Sequence, residues 1–295
     1  MEIYENCRLC PRQCGVNRYI NKGFCGAGAE ILSAKACLHQ WEEPCISYRN
    51  GAGTVFFSGC NLHCCYCQNN RISNEFFGKS LTDRQLADVF LSLQEKGADN
   101  IELVTPTHFV PSIINALDMV RHRLEIPVIY NTGGYELPET INLLNGYIDV
   151  YMPDIKYFLP EVSARYSNAP DYFEYASSAV LAMKKQVGKN IFNEQGGLIK
   201  GTLIRHLVLP SQRHDSMKIM EWIARNVPDA LVSIMNQYTP FDFIDNRFPE
   251  LKRRLTKMEY NSVVRHAESL GINGYTQQSS SVGEEYVPDF DLSGL

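Results

Sequence analysis

From Thr54 onward, short apolar runs alternate with amphipathic stretches. Six runs, Thr54–Phe57, Ile101–Val104, Val128–Tyr130, Asp149–Met152, Leu203–Leu209 and Leu231–Met235, are apolar and bounded by Gly, Pro or polar residues. Strands buried on both faces of a parallel sheet read this way. Helical patterns sit between and after them, at Thr82–Lys96, Pro111–Arg123, Pro138–Leu144, Tyr172–Gln186, Ser216–Asn226 and Thr256–Leu270. The clearest is Thr82–Lys96: Thr82 and Gln85 make a capping-box pair, Leu86, Val89, Phe90 and Leu93 form one stripe, and Gly97 ends it. The alternation predicts an α/β fold, a parallel sheet wound by right-handed crossovers. Six units suit a partial (β/α)6 barrel, with the active site at the C-terminal ends of its strands.

The first 50 residues differ. They are dense in Cys, Gly and Arg and lack clear periodicity, as in a small module organised by metal rather than by a core. The expected division is a Cys-rich metal-binding segment, 1–50, and a barrel with a C-terminal extension, 51–295. The stretch Gly188–Gly201 is rich in Gly and Asn and reads as a surface excursion. The tail from Gln277 onward is polar and acidic and is expected to be partly mobile.

Composition narrows the function. A chain of 295 residues with 44% hydrophobic and 21% charged residues can bury a sizeable core. Its net charge of -5 argues against a general nucleic-acid binder. No apolar run is long enough to span a bilayer and no signal core opens the chain, so a cytoplasmic protein is expected. In such a reducing compartment cysteines read first as metal ligands or redox groups. All ten lie between Cys7 and Cys67, which is not how a disulfide framework for the whole fold would be spread.

The first predicted strand runs directly into Gly59-Cys60-Asn61-Leu62-His63-Cys64-Cys65-Tyr66-Cys67-Gln68-Asn69. Three cysteines stand at C-x3-C-x2-C on the loop at that strand's C-terminal end. Such a loop can turn three thiolates onto an iron–sulfur cube and leave its fourth iron open to a substrate or cofactor. Two other readings fit the same residues: a zinc site completed by Cys65 or His63, and a cluster used only for electron transfer.

The C-x3-C-x2-C pattern with an aromatic residue, Tyr66, before the last Cys resembles the radical S-adenosylmethionine (SAM) superfamily. The resemblance implies that Cys60, Cys64 and Cys67 hold a [4Fe–4S] cluster whose open iron is chelated by SAM. Reduction then breaks a carbon–sulfur bond of SAM, giving methionine and a 5′-deoxyadenosyl radical that abstracts a hydrogen atom. It also implies a reduced electron donor such as flavodoxin or ferredoxin.

The likeness runs from about Gly51 to about Tyr238 and is closest to proteins similar to pyruvate formate-lyase activating enzyme. Cys67-Gln68-Asn69 resembles that branch's Cys-His-Asn. Asn131-Thr132-Gly133-Gly134-Tyr135 resembles its Asp-Thr-Asn-Gly segment, and Met152-Pro153-Asp154-Ile155-Lys156 its Asp-x-Lys. Leu203 to Pro210 resembles its Arg-containing strand. By this likeness Arg205 pairs with the SAM carboxylate, Asp154 and Lys156 face the substrate or the methionine end of SAM, and Tyr66 and Asn131 line the SAM site. Asn131 replaces an Asp that helps hold a monovalent cation in the activating enzyme, so that cation does not carry over. After the second strand Val104-Thr105-Pro106-Thr107-His108 stands where the family carries Gly-Gly-Glu, leaving Thr105 or His108 to accept from the SAM ammonium group.

Cys7, Cys10, Cys14 and Cys25 form a second set, enough for a tetrahedral zinc or a full [4Fe–4S] cluster. Cys37, His39 and Cys45 are reserve ligands, although His39–Pro44 reads better as a linker packed on the barrel. The segment resembles the Cys-x-Leu-Cys-Pro-Arg-x-Cys-Gly lead of an activating-enzyme-like subgroup. Three functions follow as expectations: activation of a glycyl-radical protein partner, modification of a small molecule or peptide, and a non-enzymatic iron–sulfur or zinc sensor.

Overall fold

The structure, a computed structural model, describes residues 2–277 and 288–295. A short helix α1 (Glu2–Glu5) precedes strand β1 (Ile31–His39), which leads into β2 (Ala52–Phe57). Helix α2 (Asn70–Ser73) and β3 (Lys79–Leu81) follow. Then comes the predicted alternation: α3 (Asp83–Glu95), β4 (Ile101–Val104), α4 (Val110–Val120), β5 (Val128–Thr132), α5 (Pro138–Leu143) and β6 (Val150–Pro153). The chain continues through α6 (Pro160–Ser167), α7 (Tyr172–Val187), β7 (Ile191–Phe192), β8 (Leu198–Leu207), α8 (Arg213–Asn226), β9 (Leu231–Met235), α9 (Lys257–Ser269) and β10 (Gly274–Thr276).

The strands form one open sheet in the order β10-β9-β8-β6-β5-β4-β2-β1-β3. Pairings from β2 to β10 along this path are parallel. The six predicted strands are the barrel staves, and β10 adds a short seventh. Helices α3 and α4 cover the outer face with Leu86, Phe90, Ile113 and Leu117, all 3% exposed or less. Local chemistry sets the helix starts: Thr82 with Gln85, and Thr256 with Glu259, complete capping boxes at α3 and α9.

The leading segment is more regular than its composition predicts. Ile31–His39 forms β1, antiparallel to both β2 and β3. From its end, residues 40–47 pass under the barrel. Asn100 Nδ2 donates to Ile46 O at 2.8 Å and Leu198 N to Cys45 O at 2.8 Å. Cys45 and Ile46 are buried with Ala52, Ile129, Val150 and Leu203 at the strands' N-terminal ends. The linker expected to pack on the barrel therefore forms part of its floor.

The excursion at Gly188–Gly201 is the β7–β8 hairpin, with Ile191 and Phe192 exposed. Of the tail, residues 278–287 lie outside the described residues. Beyond them the chain is fastened to β1: Leu292 N donates to Ala34 O, Ala36 N to Ser293 O, and Phe290 packs edge-on against Phe56.

Candidate functional site

The cysteine loop leaves β2 at its C-terminal end. Gly59 has φ +94°, and a Cβ there would lie 2.5 Å from Cys25 O, so only glycine fits this approach. Beyond it Cys60, Cys64 and Cys67 line one cavity of about 540 Å³, while Cys65 does not. Each of the three sulfurs accepts a hydrogen bond: Cys60 from Leu62 N at 3.4 Å, Cys64 from Ser167 Oγ at 3.0 Å, and Cys67 from Ser73 Oγ at 3.4 Å. Tyr66 OH meets Tyr157 OH at 2.8 Å, and Tyr157 OH meets Ser167 Oγ at 2.7 Å, which steadies the Cys64 donor.

Burial, then the charges of Cys64 and Cys67, push the Cys60 thiol up to about 12; burial and Cys64 also raise Cys67. Thiols raised this way, sharing one cavity, ionise together only against a bound cation. Donors aimed at the sulfurs and a mutual need for positive charge fit an iron–sulfur cube. Among the described residues, no three His, Cys, Asp or Glu side chains are drawn in tightly enough to chelate a single ion. His63 is engaged elsewhere, its ring nitrogens against Asn74 Oδ1 and Phe24 O.

Opposite the loop, Arg205 is a hub. Its Nε donates to Asp154 Oδ1 at 3.0 Å, Nη1 to Glu42 Oε2 at 3.2 Å and Nη2 to Asn131 Oδ1 at 2.7 Å. Lys156 Nζ reaches Asp154 Oδ2 at 2.5 Å. Burial alone would raise the Asp154 carboxyl, but the Lys156 and Arg205 charges outweigh it and hold it below its usual range. Asn131, Asp154, Lys156 and Arg205 all line the cavity, as do Tyr66 and Thr105.

Two predicted residues after β4 part company. Thr105 faces the cavity with φ +57°, rare for a β-branched residue; glycine would take that turn without strain. His108 lies outside the cavity lining. It is 3% exposed, its Nε2 bonds Ser58 O at 2.9 Å, and burial followed by the Arg18 charge lowers it to about 3. Held neutral there, it braces the cysteine loop.

Three carboxylates were not anticipated. Glu42 comes from the floor segment. Glu102, fully buried in β4, accepts from Thr54 Oγ1 and Asn131 Nδ2 at 2.7 and 2.6 Å, and burial, then the Glu42 charge, raises it. Glu136, also fully buried, accepts from Thr107 and Thr132 through Oε1 while Oε2 has no partner. A charged residue inside an otherwise apolar strand was the available signal for Glu102; Glu136, in a loop, gave none.

Burial pushes Glu136 from 4.5 up to about 7. A carboxyl raised in the folded state contributes stability that is full below its unfolded value and is lost as pH rises through 7. The expected loss between about pH 4.5 and 8 is roughly 3 kcal/mol. Melting temperatures of the anaerobic protein should therefore fall between about pH 4.5 and 7 and level off above, and Glu136→Gln, which mimics the protonated acid, should flatten that fall. An unchanged slope in the variant would remove Glu136 as its source.

In the leading segment, Gly23 lies between two of the other thiols: a Cβ on it would sit 3.4 Å from Cys14 Sγ and 3.5 Å from Cys25 Sγ. Cys10 feels the charges of Cys25 and Cys7, and Cys25 those of Cys7 and Cys14. The structure thus sets Cys14 and Cys25 on either side of Gly23, with Cys7 and Cys10 within electrostatic reach of Cys25. The reserve ligands lie elsewhere, Cys37 opposite Thr54 in β1, Cys45 in the floor, and His39 at the cavity wall.

Comparison with known proteins agrees with this architecture. Residues 54–223 match the model of the Radical SAM superfamily. An uncharacterized protein of Methanocaldococcus jannaschii is 30% identical over 281 residues, covering 92% of this chain and 77% of its own. A radical SAM methyltransferase from Sphaerobacter thermophilus superposes with a TM-score of 0.54 at 12% identity, over 79% of this chain and 68% of that one. A domain of pyruvate-formate lyase-activating enzyme from Bacteroides vulgatus aligns with a TM-score of 0.42 at 9% identity, over 61% of this chain and all of that one. The family uses a [4Fe–4S] cluster and SAM. No helix among the described residues is long and apolar enough to cross a membrane. With the family model spanning more than half of its length, this chain belongs to the radical SAM superfamily.

Proposed function

We propose that Cys60, Cys64 and Cys67 hold the cluster, that SAM lies against Tyr66, Thr105, Asn131, Asp154 and Arg205, and that the hydrogen atom comes from a glycine of a protein partner. Bound there, cluster and SAM supply reductive cleavage of a carbon–sulfur bond and, from it, hydrogen abstraction. The observation that carries the reading is the convergence of the three hydrogen-bonded sulfurs and the Arg205 hub on one cavity. Arg205 presents a planar fork suited to a carboxylate. Lys156 lies 2.5 Å from Asp154, so the cavity wall offers both signs of charge to a zwitterionic methionine group. The floor segment closes the barrel from below, leaving the mouth at the strands' C-terminal ends for the substrate. The glycine as hydrogen donor rests on the ordered likeness of the segments at Cys67, Asn131, Asp154 and Arg205 to the activating enzyme. The electron comes from a reduced donor, as family members require; flavodoxin or ferredoxin is the proposed partner.

The test is anaerobic. The reconstituted protein is given reductant, SAM and a deuterated cell extract, and 5′-deoxyadenosine is followed by mass spectrometry. Production of 5′-deoxyadenosine, with deuterium drawn from the protein fraction and a glycyl radical seen by electron paramagnetic resonance, is the expected result. Deuterium drawn only from the metabolite fraction would replace the glycine reading with a small-molecule one. No 5′-deoxyadenosine from iron-loaded protein would remove the site assignment.

A further inference from the structure

The leading cysteine set is not needed to hold its segment in place. Arg12 donates from Nε to Asn61 O at 2.9 Å, from Nη1 to Asn168 O at 2.6 Å and from Nη2 to Ser167 O at 3.0 Å. Its guanidinium also lies over the Phe24 ring at 4.1 Å. Arg18 donates to His108 O and Gly28 O, and Thr140 Oγ1 to Leu9 O at 2.8 Å. A structural zinc earns its place where no core or polar clamp exists, and here the clamps are present.

The set also touches the first cysteine loop through the backbone. Cys60 N donates to Cys25 O at 3.1 Å, so one hydrogen bond joins a residue of each set. A second link runs through Arg12, which holds Asn61 O and Ser167 O, while Ser167 Oγ donates to Cys64 Sγ. Cys7 and Cys25 are buried, Cys10 is half-buried and Cys14 is exposed, so the set reaches solvent on one side and the first loop on the other. Around it the chain turns tightly, with Gln13 N bonded to Cys10 O, Gly15 N to Cys7 O and Gly26 N to Gly23 O.

We infer that Cys7, Cys10, Cys14 and Cys25 hold a second iron–sulfur cluster, ligated by four thiolates, that exchanges electrons with the cluster at Cys60, Cys64 and Cys67. The inference rests on the proposed role of those three residues. The electron count balances: the external donor gives up one electron at the solvent side, and one electron leaves toward the Cys60 loop. Full thiolate ligation leaves no open iron, so this set binds no SAM. A Cβ on Gly23 would just touch the Cys14 and Cys25 sulfurs, at 3.4 and 3.5 Å, so a branched side chain there would push into the space between them.

The full-length protein is purified without oxygen, reconstituted with iron and sulfide, and analysed for iron, sulfide and zinc. Two cubes predict about eight irons per chain, falling to about four in the Cys60→Ala/Cys64→Ala/Cys67→Ala variant and to about four in Cys10→Ala/Cys14→Ala. Fully reduced wild type should show a paramagnetic resonance spectrum broadened by two neighbouring spins, not the sum of the two variants' spectra. One zinc and no iron in the triple variant would overturn the proposal, and additive spectra would overturn the exchange. If the triple variant kept the wild-type iron content, the Cys60 assignment would fail instead. Gly23→Val keeps every thiol while filling the space between Cys14 and Cys25; it should lose the second cluster's iron alone, and full retention of iron would count against the site.

Discussion

Cys64→Ala should reduce 5′-deoxyadenosine formation to background, while Cys65→Ala should keep it within about twofold of wild type, since a half-buried side chain outside the site has a small effect. The two residues are adjacent and chemically identical, so the contrast isolates geometry. Cys64 is 7% exposed, lines the cavity and accepts from Ser167 Oγ. Cys65 turns the other way, its backbone N fixed to Tyr166 O at 2.9 Å and its thiol raised by burial, then by the Cys64 charge. Losing one of three thiolates leaves a second iron without a protein ligand, and the cube is then neither held nor poised for reduction. Iron content and absorbance would be measured beside turnover. Turnover in Cys64→Ala at a tenth of wild type or better would sink the assignment, and equal loss in both variants would point to a folding defect of the loop.

That contrast was readable from spacing, because C-x3-C-x2-C names three positions and leaves Cys65 over. The barrel was readable too. Its staves are short apolar runs with Gly or Pro at their ends, and a chain buried on both faces has few other ways to read. What escaped was structure whose pattern was masked or too short. In β1, the buried positions Ile31, Ser33, Ala34 and Ala36 lose their alternation where the pairing shifts register between Ser33 and Lys35, and its partner β3 has only three residues. Helix α6 is short, and its Ser163, Arg165 and Ser167 break any apolar stripe. β10 spans three residues and gains its place only by pairing with β9.

The polar interior was the harder part. Thr54, Glu102, Asn131 and Arg205 come from four strands and meet only once the sheet curls, so no local window contains them. Glu42 arrives from the linker expected to pack on the barrel, and no local pattern shows that its carboxylate reaches Arg205 in the interior. His108 shows the opposite error: its place just after a strand suggested a ligand contact, whereas a single turn of 3-10 helix at Thr107–Phe109 carries its ring onto Ser58 O.

The same hub yields the second large effect. Arg205→Met should destabilise the protein by about 3–5 kcal/mol, the usual consequence of leaving buried charges without their partner. Asp154 would keep Lys156, but Glu42 would lose the bond from Nη1 and Asn131 Oδ1 the one from Nη2. Arg205 and Glu42 each have side chains only 14% exposed, so water replaces little of what is lost. Glu42→Gln removes the competing charge while keeping an acceptor. Combined with Arg205→Met, it should show less than the sum of the two losses, because the partners share one interaction. Urea midpoints of the two single variants and the double variant check this, and strict additivity would show that the pair is not coupled. The SAM affinities should then move in opposite directions. Arg205→Met should weaken SAM binding, because a carboxylate loses its fork. Glu42→Gln should tighten it about fivefold, the equivalent of about 1 kcal/mol, because in wild type the SAM carboxylate must share or displace the Glu42 contact on Nη1. Titration calorimetry on the cluster-loaded protein decides between this and the alternative. If Glu42→Gln weakened SAM as Arg205→Met does, Glu42 would be holding the guanidinium in position for the ligand, and the competition would be ruled out.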